Sequence, residues 1–212
     1  MEKTVSGDRK TALVLTGGFC NIERVKKILP ESVDLVIAAD SGYSTAKKLG
    51  ITPDITMGDF DSYREKLPPE MNILRVACEK DVTDTMLACE YARDNGCTYI
   101  TIIGGTGGRI DHSISNIFYL EDLRKQGVRV KLADGENSVQ VIIDETVTVN
   151  NEGGYFSVFA LDKCIVTESG CKYPLNRATL TRERPYAVSN EVKDDAAIIT
   201  IEGVALLVTS TR

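Results

Sequence analysis

The feature of this sequence that most restricts its fold is the regular alternation of apolar and amphipathic segments over residues 12–132. Short apolar runs of the kind that form buried strands occupy Ala12–Thr16, Asp34–Ala39, Ile55–Met57, Asn72–Cys78, Tyr99–Ile103 and Val128–Leu132. Helical segments lie between them: one is capped by Asn21 and stopped by Pro30, one is capped by Ser44 and ends at Gly50, and two occupy Thr83–Asn95 and Ser113–Gln126. Strands that alternate with helices predict a mostly parallel sheet with right-handed crossover connections.

The pattern changes after about Gly135, where strand-like segments follow one another without helical periodicity. They occupy Val139–Ile143, Thr146–Val149, Tyr155–Leu161, Cys164–Val166, Ala197–Ile201 and Val204–Thr209. Glu202-Gly203 separates the last two as a two-residue hairpin turn would. The sequence therefore predicts an α/β domain over residues 1–135 and a small antiparallel β domain over residues 136–212.

Charge and cysteine content argue against several classes of protein. The chain has 25 basic and 31 acidic residues and no basic cluster, so sequence-independent binding of nucleic acid is not expected. The N-terminal apolar run is too short for a signal peptide, and no stretch has the length of a membrane span. The six cysteines form no CxxC pair and the chain has one His, which argues against a zinc site. We expect a cytoplasmic protein with reduced thiols and no nucleic-acid or membrane partner.

Polar and glycine-rich loops follow five successive strands of the predicted parallel sheet. These loops are Gly17-Gly18, Asp40-Ser41-Gly42, Gly58–Ser62, Lys80–Asp84 and Gly104–His112. Ligands of open parallel sheets bind beyond the carboxyl ends of the strands, where such loops meet. The sequence therefore predicts one site at this edge of the sheet.

Carboxylates are concentrated in these loops. Asp59 and Asp61 lie two residues apart, Asp81 and Asp84 lie three apart, and Asp40 and Asp111 join them if the loops converge. Two carboxylates about 5 Å apart repel by about 3 kcal/mol at an effective dielectric constant near 20, so such a cluster needs a proton or a cation. Hard oxygen ligands suit Mg²⁺, which also bridges to substrate phosphates. We expect a carboxylate–Mg²⁺–polyphosphate site.

The segment Gly104–Arg109 (GGTGGR) supplies groups that suit the phosphates. Its glycines let backbone N–H groups approach an anion, and Arg109 adds a planar fork that matches phosphate oxygens. The segment is not a Walker A loop, and taken alone it is as typical of a flexible loop as of a phosphate site. Thr83 alone is likewise typical of a helix cap.

Five motifs in order resemble those of the thiamine pyrophosphokinase family, bacterial type. They are PDITMGDFDS (Pro53–Ser62), KDVTDTMLA (Lys80–Ala88), GGTGGRIDHSISNI (Gly104–Ile117), GCKYPL (Gly170–Leu175) and SNE (Ser189–Glu191). The resemblance implies transfer of a diphosphate from ATP to the thiamine hydroxyl, with Mg²⁺, giving thiamine diphosphate and AMP. It also implies that the β domain is a β-sandwich, and that the protein is a homodimer with its thiamine pocket at the subunit interface.

The resemblance assigns roles residue by residue. It implies Asp59, Asp61 and Asp84 as Mg²⁺ ligands, and these three with Arg109 and Asp111 as catalytic residues. The implied ATP-binding residues are Gly17, Gly18, Asp40, Ser41, Lys80, Gly104, Thr106, Gly107 and Arg109, and the implied thiamine-binding residues are Asp111, His112, Ser189 and Asn190. Two departures stand out: Ser41 occupies a position that is commonly Gly, and the chain has no Trp to stack on thiamine.

Two other functions fit parts of the sequence. Asp59–Ser62 (DFDS) follows a strand and approaches the nucleophile motif of haloacid-dehalogenase-type phosphatases, with Asp59 as the nucleophile. A thiamine or nucleotide sensor that keeps the pocket and lacks turnover is the non-enzymatic alternative.

Overall fold

The computed structural model describes residues 10–58, 72–75 and 82–211. The chain divides into two compact units, Met1–Gly135 and Glu136–Arg212. None of the described helices has both the length and the apolar character needed to cross a membrane.

The first unit alternates strands and helices as the sequence predicts. Its strands are β1 (Thr11–Leu15), β2 (Leu35–Ala39), β3 (Ile55–Gly58), β4 (Ile73–Arg75), β5 (Tyr99–Ile103) and β6 (Arg129–Ala133). Its helices are α1 (Ile22–Ile28), α2 (Gly42–Leu49), α3 (Asp84–Asp94) and α4 (Ile110–Lys125). Every pairing among the described strands of this unit is parallel, in the order β4-β3-β2-β1-β5-β6.

The strand order changes direction at β1, which determines where loops can meet. The chain moves from β1 outward to β4 on one side, and β5 then pairs with the other edge of β1. Connections that leave β1 and β5 for opposite faces of the sheet create a crevice at the carboxyl ends of these strands. Four of the five residues of each strand are buried, because helices cover both faces of a parallel sheet.

Two helix caps agree with the sequence prediction and two helix starts do not. The side chain of Asn21 accepts a hydrogen bond from the Arg24 N–H, and that of Thr83 accepts one from the Met86 N–H. Helix α2 begins at Gly42, so the prediction of Ser44 as its cap is wrong. Helix α4 begins at Ile110, three residues before the predicted start at Ser113. A serine is a good cap in any sequence, and here each serine lies inside the first turns instead.

The second unit is an antiparallel sheet in the order β7-β10-β8-β9. Its strands are β7 (Asn137–Asn150), β8 (Tyr155–Ser169), β9 (Leu175–Thr181) and β10 (Ala196–Ser210). Each pair of shorter segments predicted from the sequence is one long strand. Strand β9 was not predicted, because only Leu180 among its seven residues is buried. The β-sandwich arrangement of this unit stays a prediction.

The predicted hairpin at Glu202-Gly203 is wrong, because β10 continues through it. The register of β10 against β7 shifts between Ile201 and Val204, and Gly203 has a φ of 106°. The Gly203 N–H donates to Asp144 Oδ1 at 2.7 Å. This geometry is a β-bulge, which needs the same residue types as a tight turn.

Candidate active site

A cleft of about 490 Å³ opens at the carboxyl ends of the strands in the first unit. Its walls are formed by the loops after β1, β2 and β5 together with the start of α3 and the first turns of α4. The lining residues are 16–19, 39–41, 82–85, 87, 104, 107–109, 112 and 116. Three of the five polar loops noted in the sequence thus line the cleft, in full or in part. The start of α3 contributes the last residues of a fourth loop. These loops meet where the strand order changes direction.

The loops approach one another so closely that only glycine fits at two positions. A Cβ atom on Gly17 would lie 1.8 Å from Ser41 Oγ, and one on Gly18 would lie 2.0 Å from the carbonyl oxygen of Gly104. These distances are far below van der Waals contact, so any side chain there would push the loops apart. The Gly17-Gly18 pair therefore fixes the width of the cleft.

Asp40 occupies a costly position at the end of β2. Its φ is 46°, in the left-handed region, while its backbone N–H donates to the Met57 carbonyl at 2.6 Å. One carboxyl oxygen, Oδ1, is buried and has no hydrogen-bond partner among the described residues. An unsatisfied buried polar atom costs about 1–3 kcal/mol, which makes this oxygen a candidate ligand for a cation or a bound hydroxyl.

The start of α3 forms another part of the cleft wall. Thr83 caps the helix at a Thr83 Oγ1–Met86 N distance of 3.2 Å, and Asp84 is its first residue. Both residues line the cleft. Carboxylate oxygens are preferred ligands of Mg²⁺, so Asp84 is a candidate metal ligand at this position.

The second glycine loop is held in place by α4. The Gly107 N–H donates to Ser113 Oγ at 3.1 Å, and Asn116 Nδ2 donates to the Gly105 carbonyl at 2.8 Å. Asn116 is buried, so its contact with the loop is protected from water. The early start of α4 places the Ser113 and Asn116 side chains within hydrogen-bonding distance of the loop.

The Thr106 side chain points away from the cleft. Its hydroxyl donates to Asp134 Oδ2 at 2.8 Å, and Thr106 does not line the cleft. We therefore assign the Thr106 hydroxyl to the support of the loop and leave only its backbone for the predicted ATP contact.

Arg109 and Asp111 form an exposed ion pair at the mouth of the cleft. Arg109 Nε lies 3.1 Å from Asp111 Oδ1, and Nη2 lies 2.5 Å from Oδ2. The hydrogen bond from Arg109 lowers the pKa of the Asp111 carboxyl, and a further hydrogen bond from the His112 N–H acts in the same direction. Arg109 and His112 line the cleft, whereas Asp111 stands beside it.

Comparison with known proteins identifies the family of this chain. Residues 26–132 match the family model described as "Thiamin pyrophosphokinase, catalytic domain", and residues 140–205 match "Thiamin pyrophosphokinase, vitamin B1 binding domain". The chain belongs to the thiamine pyrophosphokinase family. The first match lies within the first unit and the second within the second unit. This assignment replaces the haloacid-dehalogenase-type alternative.

Individual relatives agree with the family assignment. The thiamine pyrophosphokinase of Bacillus subtilis (strain 168) is 30% identical over 214 residues, covering 95% of this chain and 99% of the relative. The Bacillus subtilis crystal structure superposes with a TM-score of 0.85 at 28% identity, covering 96% of this chain and all of that one. The structure from Geobacillus thermodenitrificans gives a TM-score of 0.81 at 25% identity, covering 95% and 98%.

The two thiamine-binding residues predicted in the second unit differ in their surroundings. Ser189 is exposed, with a φ of 58°, and its N–H donates to Ser157 Oγ at 3.0 Å. Asn190 is 5% exposed, and its side chain makes four hydrogen bonds inside the unit. Nδ2 donates to Glu168 Oε2 and to the Tyr173 carbonyl, and Oδ1 accepts from the N–H groups of Tyr173 and Glu191. The Asn190 side chain is thus occupied in holding two loops together.

Four residues of the predicted site lie outside the described part of the chain, namely Asp59, Asp61, Lys80 and Asp81. Within the described ranges no group of three or more His, Cys, Asp or Glu side chains could hold a metal ion. Asp40 and Asp84 are the carboxylates of those ranges that line the cleft. With Asp40 Oδ1 unsatisfied, this wall suits a hard cation such as Mg²⁺.

The cleft-lining residues that sequence reasoning did not select include Thr16, Phe19 and Asn116. Asn116 belongs to the quoted GGTGGRIDHSISNI motif, so its spacing from the glycines was an available signal. Thr16 ends the first predicted strand and donates its hydroxyl to the Ile103 carbonyl at 3.0 Å, which links β1 to β5. Phe19 had no local signal beyond its position after Gly17-Gly18.

Proposed function

We propose that this enzyme of the thiamine pyrophosphokinase family transfers the terminal diphosphate of ATP to the hydroxyl of thiamine, with Mg²⁺, and releases AMP. The observation that carries the proposal is the position of the cleft. It lies among glycine loops in the unit that contains the match to the catalytic-domain model, and the match to the vitamin B1 binding domain lies in the other unit. The activity, the nucleotide and the metal come to this chain through the family.

The phosphates of ATP suit the loop side of the cleft. Backbone N–H groups of the loops after β1 and β5 and the guanidinium of Arg109 hold phosphate oxygens, with Gly17, Gly18, Gly104 and Gly107 giving the close approach. Ser41 and Lys80 are the further ATP contacts of this proposal. Arg109 then exchanges part of its present pairing with Asp111 for a pairing with phosphate.

Asp84 and Asp40, with Asp59 and Asp61, are the residues that would hold Mg²⁺. The unsatisfied Asp40 Oδ1 and the position of Asp84 at the start of α3 support this assignment. A bound Mg²⁺ neutralises the negative charge that builds up on the phosphates during transfer.

The reaction forms one bond and breaks one bond. The thiamine hydroxyl oxygen attacks the β-phosphorus of ATP in line, and the bridging oxygen to the α-phosphorus leaves with its electron pair as AMP. Asp111 orients the hydroxyl or accepts its proton, and the pKa that Arg109 lowers suits an orienting carboxylate better than a proton acceptor. His112 is the second candidate for this role. Ser189 contributes to the thiamine site, with Asn190 as the support of its loop.

In the same proposal the protein is a cytoplasmic homodimer. A product assay tests its core: purified protein, ATP, Mg²⁺ and thiamine are incubated, and nucleotides and thiamine esters are separated. We expect AMP and thiamine diphosphate in equal amounts, and no product after chelation of Mg²⁺. Formation of ADP or free phosphate would contradict the proposal, and unchanged ATP in the presence of bound thiamine would favour the sensor alternative.

A further inference from the structure

Phe19 is an exposed aromatic side chain on the wall of a cleft that is otherwise formed mainly by polar and glycine residues. Its side chain is 58% exposed, although it lines the cleft. Apart from His112, it is the only aromatic ring among the described residues of that lining. A single exposed phenyl ring is ordinary on a protein surface, but in the wall of a cleft its flat face is available to a ligand.

The backbone on both sides of Phe19 is fixed. Before it, Gly18 lies against the Gly104 carbonyl so closely that a Cβ atom would not fit. After it, Cys20 packs against the core of the first unit, and the Asn21 N–H donates to the Asp134 carbonyl at 2.7 Å. The ring is therefore presented by a rigid segment and not by a loose loop.

The Cβ atom of Phe19 packs against the second glycine loop, at Gly107. A Cβ atom on Gly107 would lie 2.9 Å from Phe19 Cβ, so the glycine at 107 makes room for this contact. The phenyl ring is thus attached to the first glycine loop and seated on the second. Both loops are the ones that present N–H groups to phosphates in the proposed function.

We propose that Phe19 is a specificity-determining residue whose ring stacks on the base of the bound nucleotide. This inference rests on the proposed function, because it assumes that polyphosphate binds along the two glycine loops. A nucleotide held there has one planar heterocycle, which the ribose joins to the phosphates, and that heterocycle covers the exposed face of the ring. The thiamine heterocycles are the less suitable partners, since the match to the vitamin B1 binding domain covers residues 140–205 of the other unit.

Binding of two probes without thiamine tests the inference. Isothermal titration of the full-length protein with the Mg²⁺ complex of α,β-methylene-ATP measures a ligand with a base. Titration with Mg²⁺-tripolyphosphate measures the phosphates alone. Because base–aromatic stacking is lost on truncation to alanine, we expect Phe19→Ala to weaken binding of the nucleotide about tenfold or more. Binding of tripolyphosphate should stay within about twofold of wild type.

Three further variants make the result specific. Phe19→Trp keeps a stacking surface and should retain nucleotide affinity, whereas Phe19→Leu keeps apolar bulk without an aromatic face and should lose most of it. Phe118→Ala removes another exposed phenyl ring, on α4 and away from the cleft lining, and should change neither titration. Phe19→Leu also reports on the ring if Phe19→Ala does not fold.

Several outcomes would overturn the inference, and each has a distinct signature. Equal losses for both probes would make Phe19 a support of the glycine loops. Unchanged nucleotide binding with a raised KM for thiamine would place the ring against thiamine. If the wild-type protein binds both probes equally tightly, the base makes no contribution to binding, and the proposed function still stands. Wild-type protein that binds neither probe would overturn the proposed function together with the inference.

Discussion

Asp40 combines two unfavourable features in one residue. Its backbone has a φ of 46°, and its buried Oδ1 has no hydrogen-bond partner in the described part of the chain. Strained backbone and unsatisfied polar groups persist where function maintains them. The left-handed conformation is tolerated because Asp and Asn adopt it more readily than most residues.

We expect Asp40→Asn to stabilise the protein and impair the enzyme. The amide keeps the size and the tolerance of the left-handed backbone but removes the negative charge beside the unpartnered Oδ1 position, so the melting midpoint should rise by about 2–4 °C. Because the cation loses a charged ligand, kcat/KM should fall at least about tenfold. Calorimetry and AMP formation measure the two effects.

Asp144→Asn is the matched control for that variant. Asp144 has the same φ of 46° but lies in the bulge of the second unit, where Oδ1 accepts from Gly203. It should leave kcat/KM unchanged. If Asp40→Asn lowers the melting midpoint and preserves turnover, the assignment of Asp40 to the active site is wrong.

The pKa of Asp111 depends most strongly on one neighbouring residue, Arg109. The hydrogen bond from Arg109 is the largest cause of its lowering. In Arg109→Met the pKa of the Asp111 carboxyl should therefore rise toward its ordinary value, as followed by NMR titration of that carboxyl. Turnover should fall about 100-fold, the usual loss when a donor to a developing oxyanion is removed. An unshifted titration would show that the ion pair does not persist in solution.

At the scale of elements, strand and helix identity followed from periodicity better than element boundaries did. Strands β1 and β5 are continuous apolar runs, and such runs are typical of strands buried on both faces. The bulge at Gly203 was missed because it depends on a contact 59 residues away along the chain. The early start of α4 was missed because it accompanies contacts with the loop just before the helix, which periodicity does not report. Asp144 fixes the first, and the loop contacts of Ser113 and Asn116 accompany the second.

The bulge predicts a difference between two glycines with positive φ. A Cβ atom on Gly203 would lie 3.0 Å from the Lys163 carbonyl oxygen and 3.2 Å from Cys164 Cβ, in addition to a φ of 106°. Gly203→Ala should lower the free energy of unfolding by about 1–3 kcal/mol. Gly153 has a φ of 76° with open space around it, so Gly153→Ala should cost less. Urea denaturation compares them, and equal losses would contradict this account of the bulge.

Glu168 makes the stability of the second unit depend on pH. It is 2% exposed, Oε2 accepts from Asn190 at 2.7 Å, and Oε1 has no partner among the described residues. Burial raises its pKa above 4.5, and the hydrogen bond from Asn190 opposes that shift. A raised folded-state pKa means that the contribution to stability is complete below pH 4.5 and is lost as pH rises through the folded-state value.

Glu168→Gln should remove this loss while preserving an acceptor for Asn190. The variant should be more stable than wild type at pH 8, and the difference should shrink toward pH 4.5. Thermal unfolding across that range measures it, with the exposed Glu152→Gln as the control. A variant that is less stable than wild type at pH 8 would mean that the charged form has a partner.

At the scale of the whole molecule, the order of motifs along the chain contained most of the candidate site. Loops that follow parallel strands must meet at one edge, so Gly17, Asp40, Gly104 and Arg109 could be grouped before any coordinates. Side-chain direction could not be obtained in that way. The Thr106 hydroxyl turns to Asp134 because of a contact 28 residues away along the chain.

Binding should also change the stability of the protein as a whole. A ligand that binds only the folded state stabilises it by about 2.7 kcal/mol at one hundred times its Kd. Mg²⁺ with ATP should therefore raise the melting midpoint, and ATP with a chelator should raise it much less. A midpoint that responds equally to both would contradict a metal-dependent nucleotide site.

The central claim is that the cleft of the first unit transfers a diphosphate as one group. The most direct measurement follows ATP labelled with ³²P at the β-phosphorus in reactions of wild type and Asp84→Ala with thiamine and Mg²⁺. Our account predicts label in thiamine diphosphate, unlabelled AMP, and neither product from the variant. Label in ADP, or wild-type turnover by Asp84→Ala, would contradict it.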